Sequence, residues 1–177
     1  RIPRDTRIEF HPGTAKDDAE KIVRMAIEAF KHRTEEETVR IPEYKEDVIA
    51  GIGVEQIVDV LKAVDAENPI GVLNDAIRSG ELRGVCLLAG CNNQKLPHDI
   101  AHLEFAKHLA ANDVLLVATG CIAIAAAKEG YMAADSKDRY AGPGLKSFLD
   151  RISEASGRQM PGVWHMGSCV DTSRAVA

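Results

Sequence analysis

The chain has 177 residues, 45% hydrophobic and 28% charged, enough for an ordinary domain with its own core. Its net charge of −5 excludes the basic footprint of a nucleic-acid binder or an anionic-membrane binder, so no nucleic-acid partner is expected. No apolar run approaches the roughly 20 residues of a transmembrane helix, and with 5% aromatics the interior must be filled by aliphatic side chains and alanine.

The first residues, Arg1-Ile2-Pro3-Arg4-Asp5, do not read as a secretion signal. The chain lacks an initial methionine and stops eight residues after Gly167-Ser168-Cys169, so the expectation is a domain cut from a longer polypeptide. Ala19 to Arg33 carries Ile22, Val23, Ala26, Ile27 and Phe30 at helical spacing, with Asp17 or Asp18 available as cap. A charged stretch with one proline, Thr34 to Lys45, reads as a boundary, with Glu35, Glu36 and Glu37 as a solvated face. Residues 1–45 are therefore expected to form a helical tail and linker, and residues 46–177 the main domain.

A second helix is predicted from Val54 to Val64 and a third from Pro69 to Arg78, with proline at its start and Gly80 past its end. The pattern then changes. Val85-Cys86-Leu87-Leu88-Ala89 is a continuous apolar run broken by Gly90-Cys91-Asn92-Asn93. A helix from Asp99 to Ala110 leads to a second such run, Val114 to Ala118, ending in Thr119-Gly120-Cys121. Helices follow at Ile122–Glu129 and Gly144–Ser156, and a last strand from Gly162 to Met166 ends in Gly167-Ser168-Cys169. Three wholly apolar strands alternating with helices predict an α/β fold: a Rossmann-like parallel sheet sandwiched by helices in three α/β/α layers.

Three predicted strands end in cysteine. In an open parallel sheet these ends share one edge, where ligands bind. Cys91, Cys121 and Cys169 can thus meet although 30 and 48 residues separate them. Three thiolates form a soft site suited to iron–sulfur clusters, zinc or copper(I). Single cysteines at strand ends are also common core residues, and the spacing fits no C-x-x-C zinc pattern. Cys86, inside the first strand, reads as a core thiol. An even count of four cysteines permits two disulfides, but nothing else suggests a secreted scaffold, so a reduced, cytoplasmic setting is expected.

Gly90-Cys91-Asn92-Asn93, Ala118-Thr119-Gly120-Cys121 and His165-Met166-Gly167-Ser168-Cys169-Val170-Asp171 resemble, in order and spacing, the C-terminal part of nickel-dependent carbon monoxide dehydrogenases. The resemblance runs along the whole chain and is most specific in the last motif. It implies oxidation of carbon monoxide with water to carbon dioxide, two protons and two electrons, reversibly. It further implies a cluster of one nickel, four irons and sulfides, with Cys169 on nickel and Cys91 and Cys121 on iron. By the same resemblance, the other cluster ligands and the additional 4Fe-4S clusters lie upstream and a catalytic lysine downstream, the parent is a homodimer, and a ferredoxin-type protein takes the electrons. Residues up to about Pro42 would close a preceding domain. An isolated piece would not turn over.

Other residues keep two readings. His165 shares a face with Cys169 and can tune a cluster or simply pack. Asn92 and Asn93 can donate to sulfides or satisfy their loop. His98 and His102, at i and i+4, can bind a metal or face solvent, and His108 flanks the same helix. Gly142-Pro143-Gly144 can cradle an anion or turn the chain. Asp171 is the expected N-cap of the helix after Cys169. Two alternatives stand beside the dehydrogenase: a nickel-free hybrid-cluster (prismane-type) protein, and a non-catalytic α/β scaffold with inert thiols.

Overall fold

The computed structural model describes residues 7–9, 11–32, 43, 45 and 47–173. Most of the predicted boundary stretch, Glu35–Glu37 included, lies outside the described residues. Two compact units are present, Arg1–Lys45 and Glu46–Ala177.

In the first unit a short turn at Pro12–Thr14 leads into helix α1, Ala15–Phe30. The helix starts a turn earlier than predicted. Thr14 is the N-cap residue, and Asp17 and Asp18 lie in the first turn, where negative charge complements the helix dipole. The Thr14 hydroxyl donates to Asp18 Oδ2 at 2.7 Å.

The second unit holds α2 (Val54–Lys62), α3 (Pro69–Arg78), β1 (Gly84–Gly90), α4 (Ile100–Ala111), β2 (Val114–Thr119), α5 (Gly120–Lys128), α6 (Ser136–Tyr140), α7 (Pro143–Ser156) and β3 (Val163–Gly167). The strands form one parallel sheet in the order β1-β2-β3. With helices around it, this is the predicted three-layer α/β/α class. β2 is central and dry: Leu115 to Thr119 are all buried. Alanines on α5 (Ala123, Ala125, Ala126) allow that helix to approach the sheet closely.

β1 departs from expectation. Its sequence is apolar throughout, yet only Leu88 is fully buried and Val85 is 43% exposed. It is an edge strand, with β2 as its only partner among the described residues. Cys86 is half-buried and packs against the core as a free thiol.

Aliphatic side chains and alanine fill most of the core, as the composition implied; Trp164, Tyr131 and Phe148 are its largest fully buried side chains, with Leu61, Leu82, Leu115 and Leu116 buried as completely. Each such residue contributes about 1.5–3 kcal/mol of burial. The Gly142-Pro143-Gly144 turn holds no open anion cradle. Asp113 Oδ1 accepts the N–H groups of Gly144 (2.8 Å) and Leu145 (3.0 Å), so the chain supplies its own anion to the start of α7.

Candidate metal centre

All three strands point their C-terminal ends to one edge of the sheet. β1 ends at Gly90, followed by Cys91. β2 runs straight into α5, so Cys121 is the second residue of that helix rather than the end of the strand. β3 ends at Gly167, and Cys169 opens the turn Cys169–Asp171. Gly90 and Gly120 extend the β1–β2 pairing by one further bridge.

These segments converge on Gly120. A Cβ built there would lie 3.1 Å from Cys169 Sγ and 3.4 Å from the Gly90 carbonyl oxygen. The third cysteine's sulfur therefore sits against the residue before the second cysteine, beside the residue before the first. Only glycine provides that space, and Gly120 also has φ +68°.

The Cys169 turn is held from two sides. Asp171 Oδ2 accepts the Ser168 N–H at 2.8 Å and the Ser168 hydroxyl at 3.1 Å. Ser168 is thus the cap of this turn and Asp171 its partner three positions on, while Asp171 itself directly precedes the helical residues 172 and 173. Thr119 Oγ1, fully buried at the end of β2, lies 3.0 Å from Thr172 Oγ1. A register shift where Thr119 pairs with Gly167 leaves Met166 as an irregularity just before the site.

The Cys91 loop is organised by Asn92. Its Oδ1 accepts the Asp99 N–H at 2.8 Å, and its Nδ2 donates to Asp99 Oδ1 at 2.9 Å. Asp99 also binds Lys128 Nζ. The hydrogen bonds from Lys128 and Asn92 hold the Asp99 carboxyl below the usual carboxylate range, against an opposing push from burial. Asn93 Oδ1 accepts the Lys95 N–H at 2.9 Å, which serves the loop's own turn. His98 is exposed, with Nε2 3.3 Å from Asp99 Oδ1. His102 Nδ1 and His165 Nδ1 are buried without a hydrogen-bond partner among the described residues. The His165 carbonyl accepts the Ile52 N–H at 2.7 Å, so the backbone of β3 is anchored where its side chain is not.

No group of three or more His, Cys, Asp or Glu among the described residues is arranged around a single ion. A multinuclear cluster makes a different demand, because its ligands stand apart by the width of the cluster. The donor set fits such a group: three free thiols, two exposed and one half-buried, on a rim cleared of Cβ atoms. Sequence reasoning expected the three cysteines at one sheet edge, where the structure brings their segments together. It missed Thr119, Thr172, Asp99 and Lys128, of which only Asp99, placed before an apolar helix, carried a local capping signal.

Fold and rim together define a parallel α/β domain that presents soft sulfur donors at its strand ends. The whole chain, residues 1–177, matches the Prismane/CO dehydrogenase family, and it belongs to that family. It is 47% identical to the carbon monoxide dehydrogenase/acetyl-CoA synthase subunit beta of Moorella thermoacetica, over 99% of this chain and 27% of that protein. It is 46% identical to carbon monoxide dehydrogenase 1 of Carboxydothermus hydrogenoformans, over 97% and 27%. Carbon monoxide dehydrogenase IV of the same organism superposes with a TM-score of 0.86 at 43% identity, over 96% of this chain and 27% of that one. A structure described as NiZn[Fe4S4] and NiNi[Fe4S4] clusters in alpha subunits of acetyl-CoA synthase/carbon monoxide dehydrogenase superposes with a TM-score of 0.88 at 48% identity, over 96% and 26%. The chain thus spans about a quarter of the length of these relatives.

Proposed function

We propose that this chain is the cluster-binding part of a nickel-dependent carbon monoxide dehydrogenase, an oxidoreductase interconverting carbon monoxide and water with carbon dioxide, two protons and two electrons. The observation that carries this reading is the convergence of the Cys91, Cys121 and Cys169 segments on Gly120. The identity to proteins named carbon monoxide dehydrogenase supports it and favours it over the hybrid-cluster alternative.

Cys169 would hold nickel, and Cys91 and Cys121 would hold irons of a nickel–four-iron–sulfide cluster. When bound, that group supplies a site for carbon monoxide, Lewis acidity that activates water, and a sink for electrons. The chain's own residues prepare the place. The three thiols bind as thiolates. Cys121 sits in the first turn of α5, where the helix dipole favours negative charge. Buried Ala118 and Thr119 keep the floor beneath the rim dry. Ser168 and Asp171 fix the turn that aims Cys169.

Residues 1–45 would close a preceding domain, and the remaining cluster ligands, further 4Fe-4S clusters and a catalytic lysine would come from the rest of the parent chain. The parent would work as a cytoplasmic homodimer and hand electrons to a ferredoxin-type protein. The four free cysteines suit a reducing compartment. No helix among the described residues is long and apolar enough to cross a membrane.

The test is Cys169→Ala in the full-length enzyme. Nickel content and carbon monoxide oxidation should fall to background while circular dichroism and thermal midpoint stay close to wild type. A variant that keeps both nickel and activity would overturn the assignment.

A further inference from the structure

The loop after β1 is largely exposed from Cys91 to His98, yet it ends in a buried acid in a strained conformation. Asp99 has φ 67°, the left-handed region, which a non-glycine residue occupies at a cost and keeps only where its surroundings enforce it. The enforcement is visible. The Asn92 amide grips Asp99 at two points, backbone N–H and carboxylate, and Lys128 holds the same carboxylate from the other side. The exposed His98 ring also lies 3.3 Å from the Asn92 amide nitrogen.

Sequence positions give this arrangement its meaning. Asn92 follows Cys91 directly. Lys128 is the last residue of α5, the helix that begins Gly120-Cys121. One buried carboxylate therefore ties the segment of one rim cysteine to the helix that carries another.

We propose that Asn92, Asp99 and Lys128 are positioning residues that brace the Cys91 loop against α5, holding Cys91 and Cys121 at a fixed separation for the cluster. This rests on the metal-centre reading above. A ligand held by its own hydrogen-bonded support binds metal more tightly than one on a loose loop. Asn92→Ala removes both contacts to Asp99. Lys128→Met removes the ion pair at a side chain 57% exposed, where the fold tolerates the change, and Lys128→Arg restores it.

The experiment uses the full-length holoenzyme and reads three quantities: amide hydrogen exchange over residues 92–99, nickel and iron content, and the electron paramagnetic resonance signature of the cluster. Asn92→Ala should exchange about tenfold faster over that loop, with a broadened or shifted cluster signal and reduced metal. Lys128→Met should move the same way and Lys128→Arg should match wild type. Should Asn92→Ala not fold, the two lysine variants carry the test. Metal-replete variants with wild-type exchange and an unchanged signal overturn the brace alone. A wild-type enzyme without nickel and iron overturns the metal-centre reading, and this proposal with it.

Discussion

Cys169 Sγ lies 3.1 Å from the point where a Cβ on Gly120 would stand. Forty-nine residues separate the two in sequence, yet the turn after β3 sets a sulfur atom over a missing side chain at the start of α5. Gly120→Ala fills that gap. Its backbone, at φ +68°, alone disfavours alanine by about 1–2 kcal/mol, and the sulfur must then give way. The expected outcome in the full-length enzyme is a small loss of stability with a large loss of bound nickel, read by urea unfolding and elemental analysis. Full nickel occupancy in Gly120→Ala would show that the close approach is not needed.

The start of α7 depends on Asp113 rather than on a residue of its own. Asp113→Ala leaves two amide N–H groups without their acceptor and should cost about 1–2 kcal/mol in urea unfolding. Asp113→Asn should recover most of this, since asparagine can accept the same hydrogen bonds and tolerates φ +60°. Equal losses in the two variants would contradict the capping role.

Phe148 is fully buried on α7, with the Arg151 guanidinium 5.4 Å from its ring centre. Phe148→Ala should destabilise the second unit by about 3–5 kcal/mol. A loss below 1 kcal/mol in chemical unfolding would mean that the core collapses to fill the space.

Acid stability follows from Asp150. Lys137 hydrogen-bonds to it at 2.7 Å and, with a weaker pull from Lys146, holds its carboxyl below the ordinary value of 3.8 despite opposing burial. A carboxyl depressed in the folded state adds stability above its unfolded value, and that stability disappears as pH falls through the folded value. Lys137→Met weakens the depression, so its acid-unfolding midpoint should move to higher pH than wild type. A midpoint that stays put or moves lower would refute the pairing.

At the alkaline end, burial pushes the Tyr131 phenol up to about 12, helped by Tyr140, Glu129 and Glu104. Its ring stacks on Tyr140 with centroids 4.0 Å apart. Because the folded state resists deprotonation, stability should decline from pH 10 towards 12. Tyrosinate absorbance should show one late component that Tyr131→Phe removes.

Strong local signals made much of this legible in the sequence. The three apolar runs became the three strands, and α3 kept its predicted bounds because proline opens it and Gly80, at φ +80°, follows its end. Signals that depend on neighbours failed. β1 reads as buried on both faces, but an edge position leaves Val85 in solvent. α6 has only five residues and no apolar stripe to betray it. Cys121 was expected at the end of the strand, with the helix from Ile122, whereas the left-handed Gly120 lets strand pass directly into a helix that already includes it. The contact between Asp99 and Lys128 spans 29 residues, and no periodicity announces a pairing of that range.

The parallel order of the sheet also sets a schedule. β1 meets β2 across some thirty residues and β2 meets β3 across nearly fifty, and such distant closures form slowly. Until β3 docks, Cys169 has no fixed relation to the other two thiols. A chain stalled before the last strand docks would therefore carry one loose sulfhydryl beside a pair that the β1–β2 ladder already brings together.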